Sequence, residues 1–247
     1  MDETRLPITD HLAELRTRII RILLAWLVGS AAAWSYSDEI FRLLLAPAVH
    51  ALGEGQSLQA IAPAEIFFSY VKCALLAGFL FALPVIFWQV WQFFVPAVDK
   101  AHAKLIKYFV FLAWVLAVVG LVFGYFIVLP AALKFLLGFD SDTFSNNLQA
   151  KPFLTFCTHV ELAMAAVWEL PLFVVALTRL GIIKTSSLRK NRRLGYFLVV
   201  CLAVALPGVD PVTVFFETLP LVILFEASIW ASVLLDRRRA RLATAHA

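Results

Sequence analysis

Charged residues are scarce in this 247-residue chain: Asp, Glu, Lys and Arg make up 15% of it, against about 25% in soluble globular domains. With 62% hydrophobic residues and a mean hydropathy of +0.87, that deficit excludes a soluble domain. Cysteine is rarer still. Cys73, Cys157 and Cys201 each fall in a different apolar segment without metal-ligand spacing. They are expected to be small buried side chains, and no metal or cofactor is expected. Also missing are an internal repeat, a low-complexity tract, a G-x-S-x-G element and a Ser-His pair within the apolar segments, which leaves a membrane hydrolase without its nucleophile. No small-residue cleavage pattern follows the first apolar run, Leu12 to Val28, so that run is expected to stay as a helix.

What the chain does have is long apolar runs. A helix rising 1.5 Å per residue needs about 20 apolar residues to cross hydrocarbon about 30 Å thick. Six runs are read as spans, at 19–36, 66–93, 107–130, 154–180, 194–207 and 212–235. The fold class is therefore all-α: a single integral membrane domain over 1–247, with six transmembrane helices of which the fifth and sixth are short. The fifth is the sharpest case. Leu194 to Leu206 reaches roughly 20 Å, and Pro207-Gly208-Val209-Asp210-Pro211 blocks extension because proline removes a backbone donor and restricts its predecessor. Thinning of the bilayer or burial within a bundle is the physical remedy.

Orientation follows from Lys and Arg. Arg5, Arg16, Arg18 and Arg21 flank the first span, Lys100, Lys104 and Lys107 the second loop, Lys184, Arg189, Lys190, Arg192 and Arg193 the fourth, and Arg237, Arg238, Arg239 and Arg241 the tail, while the other side holds only Arg42, Lys134 and Lys151. The positive-inside rule then places both termini in the cytoplasm. The net charge of +4 is thus a topology signal, and no nucleic-acid partner is expected. Of the two longer outer segments, 37–65 is expected to carry a short surface helix from Asp38 to Leu45, ending before Pro47, and a turn at 53–57. In the other, 131–153, Gly138 to Pro152 is rich in Asp, Ser, Asn and Thr and is expected to cap the outer face as a loop.

Two carboxylates draw the functional reading. Glu169, in Trp168-Glu169-Leu170-Pro171, sits near the centre of an apolar run, where a charge costs about 2.5–3.5 kcal/mol on insertion scales. Glu14 lies in a helix that Thr9 or Asp10 can cap, with Leu12, Leu15 and Ile19 on one face and His11, Glu14 and Arg18 on a more polar one. The spacing of Glu14 and Arg18 either supports an exposed helix or leaves Glu14 to receive a cationic ligand. Elsewhere, His159 and Glu161 are expected near the outer end of the fourth span, within reach of water, and Lys72 is expected to snorkel or pair locally.

Several ordered motifs carry a resemblance over nearly the whole chain. They are His11-Leu12-Ala13-Glu14-Leu15-Arg16-Thr17-Arg18; Leu83-Pro84-Val85-Ile86 with Gln89-Val90-Trp91-Gln92-Phe93 and Pro96; Trp168-Glu169-Leu170-Pro171; Leu188-Arg189-Lys190-Asn191-Arg192-Arg193; and Asp210-Pro211-Val212 followed by Pro220 and Leu224-Phe225-Glu226. In these the chain resembles the TatC family, receptor subunits of the twin-arginine protein translocase. The resemblance implies a receptor without enzymatic chemistry in the plasma membrane of a prokaryote, binding twin-arginine signal peptides of folded proteins at its cytoplasmic face. Glu14 matches the acidic residue given that role, Phe93 a loop aromatic near it, Arg16 a basic residue of the same motif, and Pro47 a proline of the first outer loop. TatA and TatB single-span subunits are implied as partners, with membrane lipids around them, a homo-oligomer in the complex and the proton motive force as energy source. Glu169 and Pro171, with Asp210 and Glu226 of the last hairpin, match an intramembrane polar site that meets those partners.

The chain departs from the family at two places. His102 aligns with a second acidic residue, Asp99 standing three positions away, and Val214 aligns with a common glutamine. On residues alone, Glu169, Glu217, Glu226 and His159 also compose the relay of a proton-coupled secondary transporter. Such folds usually show paired repeats and matching interrupted helices, and the sequence displays neither.

Overall fold

The polar motif at the amino end and the first apolar run form one helix. In the computed structural model, which describes residues 8–52, 58–94, 103–139, 148–179, 181–208 and 210–245, α1 runs over Ile8–Trp34 without interruption. Thr9 and Asp10 therefore lie within the helix. Leu12, Leu15 and Ile19 are all exposed, an apolar face suited to lipid, whose chains are as apolar as leucine and give helices no hydrophobic reason to turn such residues inward.

The chain divides into two units, and α1 belongs to the first with the leading part of α2 (Ser37–Leu52), α3 (Pro63–Phe94) and the first half of α4 (Ala103–Phe123). Small residues set the packing of α1 on α3. A Cβ at Gly29 would stand 2.7 Å from the Gly78 carbonyl oxygen, and one at Gly78 would strike the backbone of Ser30, so the two backbones cross at the closeness that small-residue contacts allow. The Trp26 indole donates to the Leu75 carbonyl at 2.8 Å. α2 does not stop before Pro47 as expected; it continues through it to Leu52. Leu44 and Ala48, one turn apart across the proline, are both buried, and their packing outweighs one lost backbone bond. The turn expected at 53–57 lies outside the described residues. At the far end of α3, Glu65 accepts from the backbone N–H of Ile61 at 3.2 Å and of Lys151 at 2.9 Å, beside a single bridge pairing Gln59 with Gln149. Among the described residues that bridge is the only non-helical pairing.

The second unit is built around the last helix. α4 passes through a π turn, Gly124–Val128, directly into α5, Leu129–Gly138. The third span is thus longer than the expected 107–130 and reaches Gly138, the expected start of the outer loop. The widened turn before Pro130 makes room for a ring that would otherwise meet a carbonyl of the preceding turn. The fourth run is not one helix: α6, Ala150–Val167, breaks at Trp168 and Glu169 and resumes as α7, Leu170–Arg179, because Pro171 has no N–H to return to the preceding turn. Gly181, at φ +73°, closes α7 in the left-handed conformation that glycine adopts freely, its N–H reaching the Thr178 carbonyl at 3.2 Å.

α8, Thr185–Lys190, leads into α9, Arg192–Ala205, whose 14 residues match the short fifth segment. The sixth is corrected. α10, Pro211–Ala245, has 35 residues, Pro220 interrupts nothing visible in its course, and 27 of them, Pro211–Arg237, are long and apolar enough to cross a membrane. Five helical stretches meet that criterion among the described residues, and α9 falls short of it. Val167, Val199, Ala203, Leu221, Phe225 and Ile229 form the core around α10. Gly195 admits the Phe225 ring, since a Cβ there would lie 2.6 Å from Cε1. Cys73 and Cys157 are buried as expected, but Cys201 is exposed, on the outer face of the short α9.

Candidate functional site

The last turn of α3 presents carbonyl groups that have no helical N–H to accept and carries the negative end of the helix dipole. Arg18 of α1 fills that position. Its Nη1 donates to Gln92 Oε1 at 3.0 Å, to Gln89 Oε1 at 3.3 Å and to the Gln89 carbonyl at 3.5 Å, and its Nη2 to the Gln92 carbonyl at 3.2 Å. The same guanidinium grips Glu14, one turn earlier on α1, through Nε at 3.0 Å and through Nη2, both to Oε1. The side chains are 13% exposed for Arg18 and 28% for Glu14, so the pair is partly shut from water and its Coulomb attraction is less screened than on an open surface.

Around this cluster the expected residues separate. Phe93 directly follows Gln92 at the α3 terminus and is half-buried, whereas Arg16 is exposed. Asp99 and His102 lie outside the described residues. Pro47 sits inside α2, buried. Sequence reasoning quoted Gln89 and Gln92 as motif letters but gave them no role. Their spacing of three at the end of an apolar helix was the available signal, since it puts two amides on one face.

The second unit holds a different set of polar groups. Glu169 lies at the α6–α7 break, half-buried, and its Oε1 meets no donor among the described residues; the indole Nε1 of Trp168 likewise meets no acceptor. Trp168 packs on Phe123 at a ring separation of 5.6 Å and against Gly120, where a Cβ would approach the indole to 2.9 Å. Pro171 is the second residue of α7. Asp210 precedes α10 and caps it, accepting from the Thr213 N–H at 2.8 Å and from the Thr213 hydroxyl, with Pro211 at the first helical position. Glu226, expected with this group, is instead held by the Tyr196 hydroxyl and by Arg192 at 3.4 Å. Sixteen residues of helix, about 24 Å, separate it from Asp210.

Two further carboxyls are more enclosed than the sequence suggests. Glu217 is fully buried, and neither of its oxygens meets a donor among the described residues. Glu161, expected near water, is only 4% exposed, and its Oε1 has no hydrogen-bond partner among the described residues. The cause is the π turn: Gly124 faces it, a Cβ there lying 3.2 Å from Oε1, so the absent side chain lets the carboxyl fit against the backbone. His159 is exposed. No group of three or more His, Cys, Asp or Glu able to hold a metal occurs among the described residues.

The family model of the Sec-independent protein translocase protein TatC matches residues 10–220. The chain belongs to the TatC family. It is 36% identical over 228 residues to the Sec-independent protein translocase protein TatC of Desulforapulum autotrophicum, a match that covers 92% of this chain and 84% of that relative. It is 31% identical to TatCd of Bacillus subtilis across the full length of both chains. Its structure is similar to the crystal structure of a twin-arginine translocase receptor TatC, with a TM-score of 0.78 and 30% identity over 91% of this chain and 98% of that one. As a TatC-family member with five long apolar helical stretches among the described residues, it is a multi-pass membrane protein of a protein-transport system. The α1–α3 cluster and the Glu169 break both fall within the matched residues 10–220.

Proposed function

We propose that this chain is the signal-peptide receptor of a twin-arginine translocase: it binds twin-arginine signal peptides of folded proteins at its cytoplasmic face and, with TatA and TatB, supports their passage across the plasma membrane at the expense of the proton motive force. The observation that carries this reading is the Glu14 carboxylate held at the α3 terminus among acceptors arranged for a guanidinium. Planar, bidentate pairing with carboxylates is the mode in which arginine is distinguished from lysine. Glu14, Phe93 and Arg16 are assigned to that site, and Asp99 and His102, outside the described residues, are assigned to it from the sequence alone.

The same reading gives six crossings, with α9 as the short fifth, and both termini in the cytoplasm, in keeping with the Lys and Arg distribution. Glu169 and Pro171, at a break that leaves polar atoms without partners inside an apolar segment, are assigned to the contact with a partner's transmembrane helix in an assembly holding more than one copy of the chain. The transporter alternative is less well supported. His159 is exposed and Glu226 is held by Arg192 and Tyr196, so the relay it needs does not line one path.

Export of a folded reporter tests the proposal. In cells whose own TatC gene is deleted, expression of this chain with cognate TatA and TatB restores export of a reporter bearing a twin-arginine signal and not of one bearing a twin-lysine signal. No restoration, or equal restoration of both, would overturn it.

A further inference from the structure

We infer that the acceptor cluster at the end of α3 is a guanidinium pocket which Arg18 fills in the unliganded protein and from which a substrate's arginine displaces it; this rests on the receptor reading above. The pocket is defined by what it already holds. The Arg18 guanidinium has five N–H groups, and the cluster supplies Glu14 Oε1 twice, the side-chain oxygens of Gln89 and Gln92, and the backbone carbonyls of the same two glutamines. Gln89 is 8% exposed, and both amides turn their oxygens toward the cation. An amide that faced a mixed or neutral group would have no reason to do so at both positions.

Exchange, rather than sharing, follows from charge. Among the described residues the pocket contains one carboxylate, Glu14. A second guanidinium placed beside Arg18 would leave an uncompensated positive charge in a site partly closed to water, where like charges repel more strongly than on an open surface. An arriving arginine that takes the place of Arg18 restores the same bonds and the same charge balance, while Arg18 turns outward beside Arg16 and Thr17, both exposed.

Selectivity follows from the same geometry. A lysine ammonium has three donors on one tetrahedral nitrogen and cannot satisfy a planar set of acceptors that spans two residues of α3 and one of α1. It therefore fails to displace the occupant. Arg18 acts as an internal competitor whose tethering gives it an effective concentration in the millimolar range, so a ligand must offer a full guanidinium to win.

Binding of twin-arginine and twin-lysine signal peptides to the full chain in lipid nanodiscs tests this with Arg18→Ala and Arg18→Lys. Removal of the competitor is expected to tighten twin-arginine binding about tenfold and to make it sensitive to millimolar guanidinium chloride, to which the parent responds weakly. Arg18→Lys, which keeps the charge and serves where the alanine variant fails to fold, shows a smaller gain in the same direction. Unchanged or weaker twin-arginine binding, or no competition by guanidinium in the vacated pocket, would make Arg18 a fixed brace for Glu14 and overturn the exchange. A parent that binds both peptides equally overturns the receptor reading itself, whatever the variants do.

Discussion

Replacement of Asp210 by alanine removes two acceptors at once, and the structure sets the size of the effect. The N–H of Thr213 loses its side-chain cap, a change that costs about 0.5–2 kcal/mol in helices generally. The Thr213 hydroxyl, fully buried and donating to the other Asp210 oxygen, loses its partner, which adds about 1–3 kcal/mol. A combined loss of roughly 1.5–5 kcal/mol lowers the melting temperature by about 3 °C or more for a domain of this size. Asp210→Asn retains an acceptor for the backbone N–H and is expected to lose about half as much. Thermal unfolding in mild detergent, followed by circular dichroism, reads both. If Asp210→Ala melts within about a degree of the parent but abolishes export, the residue belongs to a partner surface and the capping argument is refuted.

Other substitutions probe other contacts. Gly78→Ala places a Cβ in the backbone of Ser30, which cannot yield as a side-chain end would, so α1 and α3 separate; detergent melting should fall by several degrees, about the 1–3 kcal/mol of an overpacked contact, and an unchanged melt would deny the close crossing. Glu161→Gln removes a buried carboxyl with an unsatisfied oxygen and should raise stability by about 1 kcal/mol, whereas a clear loss would reveal a donor that holds it. Tyr196→Phe deletes the hydroxyl donor to Glu226 and should lower the melting temperature. In a double-mutant cycle with Glu226→Gln the two effects should be non-additive, and full additivity would separate the residues.

Much of the architecture was legible because apolar run length is a strong signal in lipid. The first four runs and the short fifth all correspond to helical segments near their expected places. What the sequence hid were the effects of proline in context. Pro171 breaks its helix, while Pro47 and Pro220 are carried through and Pro130 is accommodated by a π turn. Packing and local widening decide between these outcomes, and neither is written in the residue itself. The last helix appeared short because its polar tail ended the apolar run, although Ala, Leu and Arg there are good helix formers.

The site was legible in part. Glu14 and Arg18 were readable from their spacing, and the structure joins them as an i,i+4 pair. The acceptors that complete the cluster lie more than seventy residues away on α3, and only tertiary contact brings Gln89 and Gln92 to Arg18. The same holds for Glu161, whose position on α6 suggested water. Its burial depends on Gly124 in another helix. Glu226 was read as part of an intramembrane set, but Tyr196 and Arg192 of α9 engage it first.

The central claim, that Glu14 is the carboxylate that receives a substrate arginine, is tested most directly by the affinity of Glu14→Gln for a twin-arginine signal peptide in nanodiscs. Glutamine keeps the shape and loses the charge. Loss of one charge-assisted pair, about 1.5–3 kcal/mol, predicts binding weakened tenfold or more, together with loss of discrimination against a twin-lysine peptide. Affinity and discrimination both equal to those of the parent would contradict the account.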